Sequence, residues 1–404
     1  MKRILFVDDE PKLLEGLQRM LRPRRKQWEM AFATSGQEAL AILESGRFDM
    51  IVTDMRMPGM DGAELLEHVQ KRFPAVIRVV LSGYVEREAA LRAVPVAHQF
   101  LAKPCDPGVL EAALERSCSL TAALPDDTTR QVVGAIGKLP SLPSTYAALM
   151  SALRDPEVSM HDIGGIIERD VGMTAKVLQL VNSAFFGLVQ EVSTVHGAVS
   201  VLGLDTLQHL VLSVAIFHTF RLGRAIRGFN LEAFECHSHL TARIAAALPA
   251  SKPVSSAAVV AALLHDTGKL ILASRLPGQF ELALRTAQKE NRPLYAVEKD
   301  LSGVGHAEIG AYLLGLWGLP QAIVHAVYAH HQPPLAQQPG NELDALAITH
   351  IADALAFEAQ WEHSGDGPPP YSRLNAEYVE SLGVTGRLAE WKLLATQVWD
   401  GRWS

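Results

Sequence analysis

Hydrophobic and polar positions alternate in blocks along the first 104 residues. Short runs of Ile, Leu, Val and Phe are separated by segments of helical length that carry an apolar face. Runs of this kind predict buried parallel strands, and the segments between them predict covering helices. The predicted strands comprise residues 3–7, 29–33, 49–53, 77–81 and 98–102. The pattern therefore predicts an α/β doubly wound, five-stranded parallel sheet.

Polar residues follow four of these runs. They are Asp8 and Asp9 after the first run, Asp54 after the third, Ser82 after the fourth and Lys103 after the fifth. Because the carboxyl ends of parallel strands meet at one edge of the sheet, we expect these side chains to converge. Crowded carboxylates repel one another, and a hard divalent cation such as Mg²⁺ removes that repulsion. A carboxylate beside such a cation can accept a phosphoryl group, with a lysine as counter-charge.

With these residues and the segment VTDMRMPGMDG around Asp54, residues 1–122 resemble the receiver domain of a two-component response regulator. The resemblance implies that Asp54 is the phospho-acceptor and that a histidine kinase phosphorylates it. It also implies that Asp8, Asp9 and Asp54, together with the carbonyl of Arg56, bind Mg²⁺.

The same resemblance assigns roles to three residues on the last two strands. Ser82 is expected to follow the phosphoryl group, Lys103 to contact it, and Phe100 to be the switch aromatic. Movement of Phe100 would change the face that leads into the rest of the chain. We therefore expect phosphorylation to alter the pairing of two receivers or the contact of the receiver with residues 131–250, most simply through a homodimer.

The chain changes character after the receiver-like part. The stretch LPDDTTR, with a proline and paired aspartates, predicts a linker at residues 123–130. Beyond residue 131, Ala-rich and Leu-rich segments of helical length predict an all-α bundle. Within it, LQHLVLSVAIFHTF is apolar on most sides but too short to cross a membrane.

Composition narrows the classes of partner. The net charge of −7 argues against a DNA-binding function, and no basic recognition helix follows the receiver-like part. The amino end, MKRILFVDDE, becomes charged after four apolar residues, so we expect a cytoplasmic protein without a membrane partner. The irregular spacing of Cys105, Cys118 and Cys236 predicts reduced thiols that are buried as small hydrophobic residues.

Residues 131–335 resemble an HDOD domain, a helical module related to the HD phosphohydrolases. The most specific marks are the triplet Asn182-Ser183-Ala184 and the Leu-Pro pairs at 139–140 and 142–143. Residues 336–404 are then expected to form a helical carboxyl-terminal extension that completes the HD-type bundle.

Histidines and aspartates recur on several predicted helices of this part. Inward-pointing imidazoles and carboxylates on different helices are how bundles build metal sites. The set matches the binuclear site of HD-type phosphohydrolases, which implies a pair of divalent transition-metal ions. Lys269 follows the pair His265-Asp266, and it matches the lysine that follows the His-Asp pair in the cyclic-dinucleotide phosphodiesterases of that group. The expected ligands are His237, His265, Asp266, His306, His330, His331 and Asp353.

Two functions stay open for the helical part. In the first, it is a regulatory module that acts on an output partner protein, as many HDOD domains are thought to be. In the second, it is a metal-dependent phosphohydrolase, with a cyclic dinucleotide as candidate substrate and Lys269 in the catalytic site. The Gly-Tyr-Pro segment of those phosphodiesterases is missing after His330-His331, where Gln332-Pro333-Pro334 stands. That difference favours the regulatory function.

Overall fold

The computed structural model describes most of the chain. The described residues are 1–83, 93, 95–103, 107–120, 127–136, 140–141, 143–153, 155, 157–182, 191–204, 206–207, 218–219, 225–335, 343–364 and 371–400. Outside them lie the side chains of Ser82, Cys105 and Cys118, part of the Asn182-Ser183-Ala184 triplet and of both Leu-Pro pairs, and most of residues 207–220.

The amino-terminal part contains a five-stranded, all-parallel sheet with the strand order β2-β1-β3-β4-β5. All residues of the central strand β3 are buried, because helices cover both faces of the sheet. The predicted sheet is confirmed, and each strand boundary lies within two residues of its predicted place. The strands are β1 (Lys2–Val7), β2 (Trp28–Ala33), β3 (Met50–Asp54), β4 (Ile77–Gly83) and β5 (Gln99–Lys103).

Side-chain caps and one glycine define the connections of this sheet. Asp61 caps the helix after β3 by accepting a hydrogen bond from the Glu64 N–H at 2.9 Å. A Cβ on Gly62 would lie 2.2 Å from the Asp54 carbonyl oxygen, so only glycine lets this turn approach the strand end. The helices are α1 (Pro11–Met20), α2 (Gly36–Ser45), α3 (Gly62–Arg72) and α4 (Pro107–Leu120), with a 3₁₀ turn at Arg22–Arg24.

The rest of the described chain is almost wholly helical, as predicted. The helices are α5 (Asp127–Gly134), α6 (Pro143–Ala152), α7 (Met160–Glu168), α8 (Val171–Val181), α9 (Val195–Leu202), α10 (Leu231–Ala247), α11 (Lys252–Leu264), α12 (Thr267–Arg275), α13 (Pro277–Glu290), α14 (Leu294–Ser302), α15 (His306–Leu316), α16 (Gln321–Ala329), α17 (Ala345–Ser364), α18 (Ala376–Ser381) and α19 (Leu388–Trp399), with a 3₁₀ turn at Thr385–Arg387.

The centre of the bundle is formed by α10, α11, α16 and α17, which pack on one another. The stretch Lys252–Arg275 is long and apolar enough for a membrane span, but 83% of its most apolar window is buried within the protein. That burial is typical of a core helix. Within the carboxyl-terminal extension, Trp391 of α19 is buried against α17 and its neighbours.

The structure departs from the sequence predictions at three points. The part predicted to be all-α contains a short strand pair, because Pro140–Ser141 pairs in parallel with His218–Thr219. Helix α5 begins at Asp127, inside the predicted linker at residues 123–130. The predicted burial of the cysteines is wrong for Cys236, which is exposed on α10.

Candidate functional site

The strand-end residues of the amino-terminal part do come together. Asp8 and Asp54 are buried at the carboxyl ends of the neighbouring strands β1 and β3, and Asp9 is exposed beside them. The ammonium group of Lys103, at the end of β5, donates to Asp8 Oδ2 at 2.7 Å and contacts Asp54 Oδ1. This arrangement provides oxygen ligands for a divalent cation and a counter-charge for a phosphoryl group.

Backbone groups hold the two buried carboxylates in place. The Arg56 N–H donates to Asp54 Oδ2 at 2.6 Å, and the Glu10 N–H donates to Asp8 Oδ1 at 3.0 Å. Burial raises the pKa of Asp54, although the contact with Lys103 opposes this shift. Burial lowers the pKa of Lys103, but its hydrogen bonds to Asp54 and Asp8 outweigh burial and raise that pKa above its ordinary value. Lys103 therefore remains an ammonium group at neutral pH.

The two remaining residues predicted for this site lie on β4 and β5. Phe100 is buried in β5, with 3% of its surface exposed. Ser82 pairs with Ala102 across β4 and β5, while its side chain lies outside the described part of the structure. The proposed switch role of Phe100 stays a prediction.

The expected metal ligands of the helical part also converge, although they come from five helices or helix ends. His237 lies on α10, His306 begins α15, and Asp353 lies on α17. The others follow α11 and α16 directly. They form two adjoining groups, and within each group the ligand atoms lie within 4.8 Å of one another. The groups are Asp266, His306, His330 and His331, and His237, His265 and Asp353.

Asp266 and His265 connect the two groups. His265 Nε2 lies 3.4 Å from Asp266 Oδ2 and 3.6 Å from Asp353 Oδ1. The other oxygen of Asp266 lies 3.1 Å from His306 Nε2. Adjacent residues at the end of α11 thus reach both groups, which is the arrangement that a pair of ions requires.

The imidazole rings are oriented so that Nε2 faces the cluster. His265 Nδ1 donates to the Ala262 carbonyl at 2.6 Å, and His330 Nδ1 donates to the Val327 carbonyl at 2.7 Å. Among the residues that the structure describes, the buried Nε2 atoms of His265 and His330 have no hydrogen-bond partner. Because a buried polar atom without a hydrogen-bond partner is costly, these nitrogens fit metal ligands better than structural residues.

Glu298 and Gln360 support the cluster and were not predicted from the sequence. Glu298 Oε2 accepts hydrogen bonds from His306 N–H at 2.8 Å and from His306 Nδ1 at 2.6 Å. Gln360 Oε1 accepts from His237 Nδ1 at 2.9 Å. Metal-binding histidines usually donate their second nitrogen in this way. Neither residue belongs to a recognisable motif, so no sequence signal pointed to them.

Two cations contact the carboxylates of the cluster. The Lys269 ammonium contacts Asp266, and Arg373 donates to Asp353 Oδ1 at 2.6 Å while its guanidinium lies over the Phe357 ring at 4.2 Å. Burial alone would raise the pKa of both aspartates, but the neighbouring positive charges lower both pKa values well below the ordinary range. Arg373 is a further residue that the sequence analysis missed.

The histidines differ in protonation. Burial lowers the pKa of His330 and His331 well below the ordinary value, so both are neutral at pH 7. Burial also opposes protonation of His265, but Asp266 and Asp353 raise its pKa to about 9, so its Nε2 carries a proton at pH 7 that a metal ion would displace. Neutral imidazoles and ionised carboxylates are the forms that bind metal. A nitrogen-rich set of this kind suits divalent transition metals.

His350 illustrates a buried histidine that is not a ligand. Its Nδ1 bonds to the His330 carbonyl at 2.6 Å, and its Nε2 accepts from the Asn375 N–H at 2.9 Å. Both ring nitrogens are used, so this histidine is a satisfied core residue.

A cavity of about 670 Å³ opens beside the cluster. Its lining includes His237 and Asp266 from the cluster and the cations Lys269 and Arg373. The cluster is therefore adjacent to a space large enough for a small molecule.

Comparison with known proteins identifies the two parts. The family model for the response regulator receiver domain matches residues 4–115, and the model for the HDOD domain matches residues 139–333. The crystal structure of the MmoQ response regulator from Methylococcus capsulatus strain Bath superimposes with a TM-score of 0.50 and 24% identity. It covers 63% of this chain and 98% of the MmoQ chain, and this likeness concerns the fold. The chain is a response regulator with an amino-terminal receiver domain and an HDOD domain.

Curated relatives match parts of the chain. An uncharacterized protein of Treponema pallidum (strain Nichols) is 30% identical over 244 residues, which are 59% of this chain and 45% of that protein. The hydrogenase transcriptional regulatory protein HoxA of Cupriavidus necator is 35% identical over 106 residues, which are 26% of this chain and 21% of HoxA. The chain spans less than half the length of both relatives.

Proposed function

We propose that phosphorylation of Asp54 by a histidine kinase controls a metal-binding HDOD domain that regulates an output partner protein. In this proposal, Asp8, Asp9, Asp54 and the Arg56 carbonyl hold Mg²⁺, and Lys103 and Ser82 contact the phosphoryl group. The seven histidines and aspartates of the cluster hold a pair of divalent transition-metal ions, which supply positive charge and Lewis acidity when bound.

Helix α15 is the observation that carries this proposal. It begins with His306, a member of the cluster, and it packs against α4 of the receiver and against α5. Tyr312, in the middle of α15, is buried, and the positive charge of Arg78 on β4 acts on its hydroxyl group. Helix α15 therefore contacts both the receiver and the proposed metal centre.

A second contact joins helix α8 to the residues just before β5, the strand that carries Phe100 and Lys103. Gln179 of α8 donates to the carbonyls of Ala97 and His98, which directly precede β5, at 3.4 and 3.2 Å. A phosphoryl group adds roughly two negative charges at Asp54. If Phe100 then moves with β5, the displacement reaches α8 through Gln179 and α15 through α4.

The cavity favours a second candidate function. Because His237 and Asp266 line a space of about 670 Å³, a phosphodiester such as a cyclic dinucleotide has access to the cluster. The domain would then be a metal-dependent phosphohydrolase, in which Lys269 contacts the substrate. Hydrolysis of a cyclic dinucleotide by the full chain in Mn²⁺, lost in His265→Ala, would establish this alternative over the regulatory function.

The proposal is tested on the full chain with a small acyl-phosphate donor in Mg²⁺. We expect intact-mass analysis to show one added phosphoryl group, which Asp54→Asn loses. Hydrogen exchange should change at residues 306–316 on phosphorylation of the wild type and stay constant in Asp54→Asn.

Asp61→Asn is the matched control, because asparagine caps α3 as well as aspartate does. It should keep both the labelling and the exchange response. Labelling that persists in Asp54→Asn would contradict the assignment of the acceptor. Labelling without any exchange change in the helical part would contradict the proposed communication.

A further inference from the structure

The cavity beside the cluster has two chemically different regions. Toward the cluster it presents the cations Lys269 and Arg373, together with His237 and Asp266. The rest of its wall is mixed and includes six aromatic side chains, which are Phe229, Phe234, Phe280, Phe357, Trp361 and Tyr371. Its volume of about 670 Å³ lies within the usual range for small-molecule sites.

Charge balance at the cluster points to an anionic ligand. Lys269 and Arg373 have only 13% and 18% of their side-chain surface exposed, and they are neutralised by Asp266 and Asp353. The proposed metal pair would neutralise the same two carboxylates. Two largely buried cations beside two divalent ions then need another source of negative charge. A phosphate group supplies it and matches the fork of an arginine.

The aromatic wall points to a flat ring on the same ligand. Phe229 contacts Phe280 edge to face with ring centres 5.4 Å apart, on one side of the cavity. Phe357 and Tyr371 are stacked with ring centres 5.5 Å apart and also line it. Side chains of this kind bind the faces of nucleobases without regard to base identity.

We propose that the cavity binds a nucleotide, with its phosphate on Arg373 and Lys269 and its base among the aromatic side chains. The proposal rests on the proposed metal centre, because metal binding releases Arg373 and Lys269 from the two aspartates. Arg373, Tyr371 and Phe357 all lie beyond residue 333, where the match to the HDOD family ends. The carboxyl-terminal extension therefore supplies ligand specificity that the family match does not contain.

The test uses the full chain, calorimetric titration and three probes: GMP, guanosine and inorganic phosphate. Mn²⁺ binding is measured first, by competition with a chelator. In saturating Mn²⁺, we expect GMP to bind at least tenfold more tightly than guanosine or phosphate. Arg373→Met should weaken GMP binding at least tenfold. GMP should also tighten Mn²⁺ binding in the wild type, because coupling between two ligands is reciprocal.

Arg387→Met is the matched control. Arg387 also lies over an aromatic ring, that of Trp391 at 4.9 Å, but it does not line the cavity. It should leave GMP binding unchanged. Lys269→Met provides a second variant with the same expected loss, in case Arg373→Met does not fold.

The outcomes separate this inference from the proposed function. Normal Mn²⁺ binding without GMP binding would overturn the nucleotide site and leave the metal centre intact. Failure to bind Mn²⁺ would overturn both. Equal affinity for GMP and phosphate would contradict base binding by the aromatic side chains. A folded Arg373→Met variant that binds GMP normally would contradict phosphate binding by Arg373.

Discussion

Helix ends determine how two of the histidines face the cluster. His265 and His330 are the carboxyl-terminal caps of α11 and α16. The last carbonyls of a helix lack backbone donors, and each ring uses its Nδ1–H to satisfy the carbonyl three residues earlier. This hydrogen bond fixes a proton on Nδ1, so Nε2 is the ring nitrogen whose lone pair can bind a metal ion.

Glu298 provides a test of the cluster at the level of one residue. Its carboxylate accepts hydrogen bonds from two atoms of His306, and this fixes the ring and makes it a stronger ligand. We expect Glu298→Gln to keep the fold and to lower the affinity for Mn²⁺ by about 10–100-fold, as loss of such a partner usually does. Competition with a chelator measures the affinity.

Glu308→Gln is the control for this variant. Glu308 is a neighbouring carboxylate that pairs with Lys299 at 2.7 Å and accepts from the Gly305 N–H at 3.0 Å, without contacting a histidine of the cluster. Glutamine preserves the cap of α15, so Mn²⁺ affinity should stay as in the wild type. Equal affinities in both variants would contradict the supporting role of Glu298.

The sequence predicted the metal-ligand residues of the cluster but not Glu298 and Gln360, which accept hydrogen bonds from two of its histidines. His-Asp and His-His pairs are rare and carry metal chemistry, so the pattern was recognisable. Glu298 and Gln360 are residue types that most often lie on solvated helix faces. Only the packing of α14 beside the start of α15, and of α17 beside α10, gives these two residues their roles.

At the scale of helices, glycine allows one close crossing that assembles the cluster. A Cβ on Gly268 would lie 1.9 Å from the His306 carbonyl oxygen, and one on Gly310 would lie 2.9 Å from the Gly268 nitrogen. Helices α12 and α15 therefore meet backbone to backbone. This contact places Asp266, just before α12, beside His306 at the start of α15.

Gly268→Ala tests this crossing. The added methyl group must push α12 from α15, which we expect to cost about 1–3 kcal/mol of stability and to weaken Mn²⁺ binding, because Asp266 and His306 separate. Urea unfolding and chelator competition measure the two effects. Gly165→Ala, a helical glycine with open space around it, should instead leave stability equal or raise it by up to about 1 kcal/mol. Wild-type stability in Gly268→Ala would contradict the tight crossing.

The strands were more predictable than the helices of the bundle. Both faces of the central strands are covered, so the apolar runs stand out without knowledge of the partner strands. Helix α8 gives no such signal, because all residues of Val171–Val181 are buried, including Lys176 and Gln179. Its polar side chains meet partners that only the complete fold provides. The pairing of Pro140–Ser141 with His218–Thr219 is too short to leave a pattern.

At the scale of the whole molecule, a buried arginine joins the receiver to the helical part. The Arg78 side chain is fully buried and donates to the carbonyls of Val96 and Val76 in the receiver and of Gly134 in α5. Burial lowers its pKa to about 9. The approach is close, since a Cβ on Gly134 would lie 2.1 Å from the Pro74 carbonyl oxygen. Nothing in the apolar pattern of β4 distinguished this arginine from a solvated one.

Arg78→Met should uncouple the two parts while leaving the phosphorylation site intact. Methionine fills much of the space but donates no hydrogen bonds, so the Val96 carbonyl loses its bond from Arg78, at a cost of about 1–3 kcal/mol. The Gly134 carbonyl keeps only the bond from His98 Nε2 at 3.2 Å. Arg78 lies near the amino end of β4, and the acceptor Asp54 lies at the carboxyl end of the adjacent strand. We therefore expect normal labelling of Asp54, faster hydrogen exchange in α5, and a smaller response of α15 to phosphorylation.

In the control Arg72→Met, which removes an exposed ion pair with Glu44, stability should fall by no more than about 1 kcal/mol and the response should persist. A full response of α15 in a folded Arg78→Met variant would mean that the signal passes through Gln179 and α4 rather than through this interface.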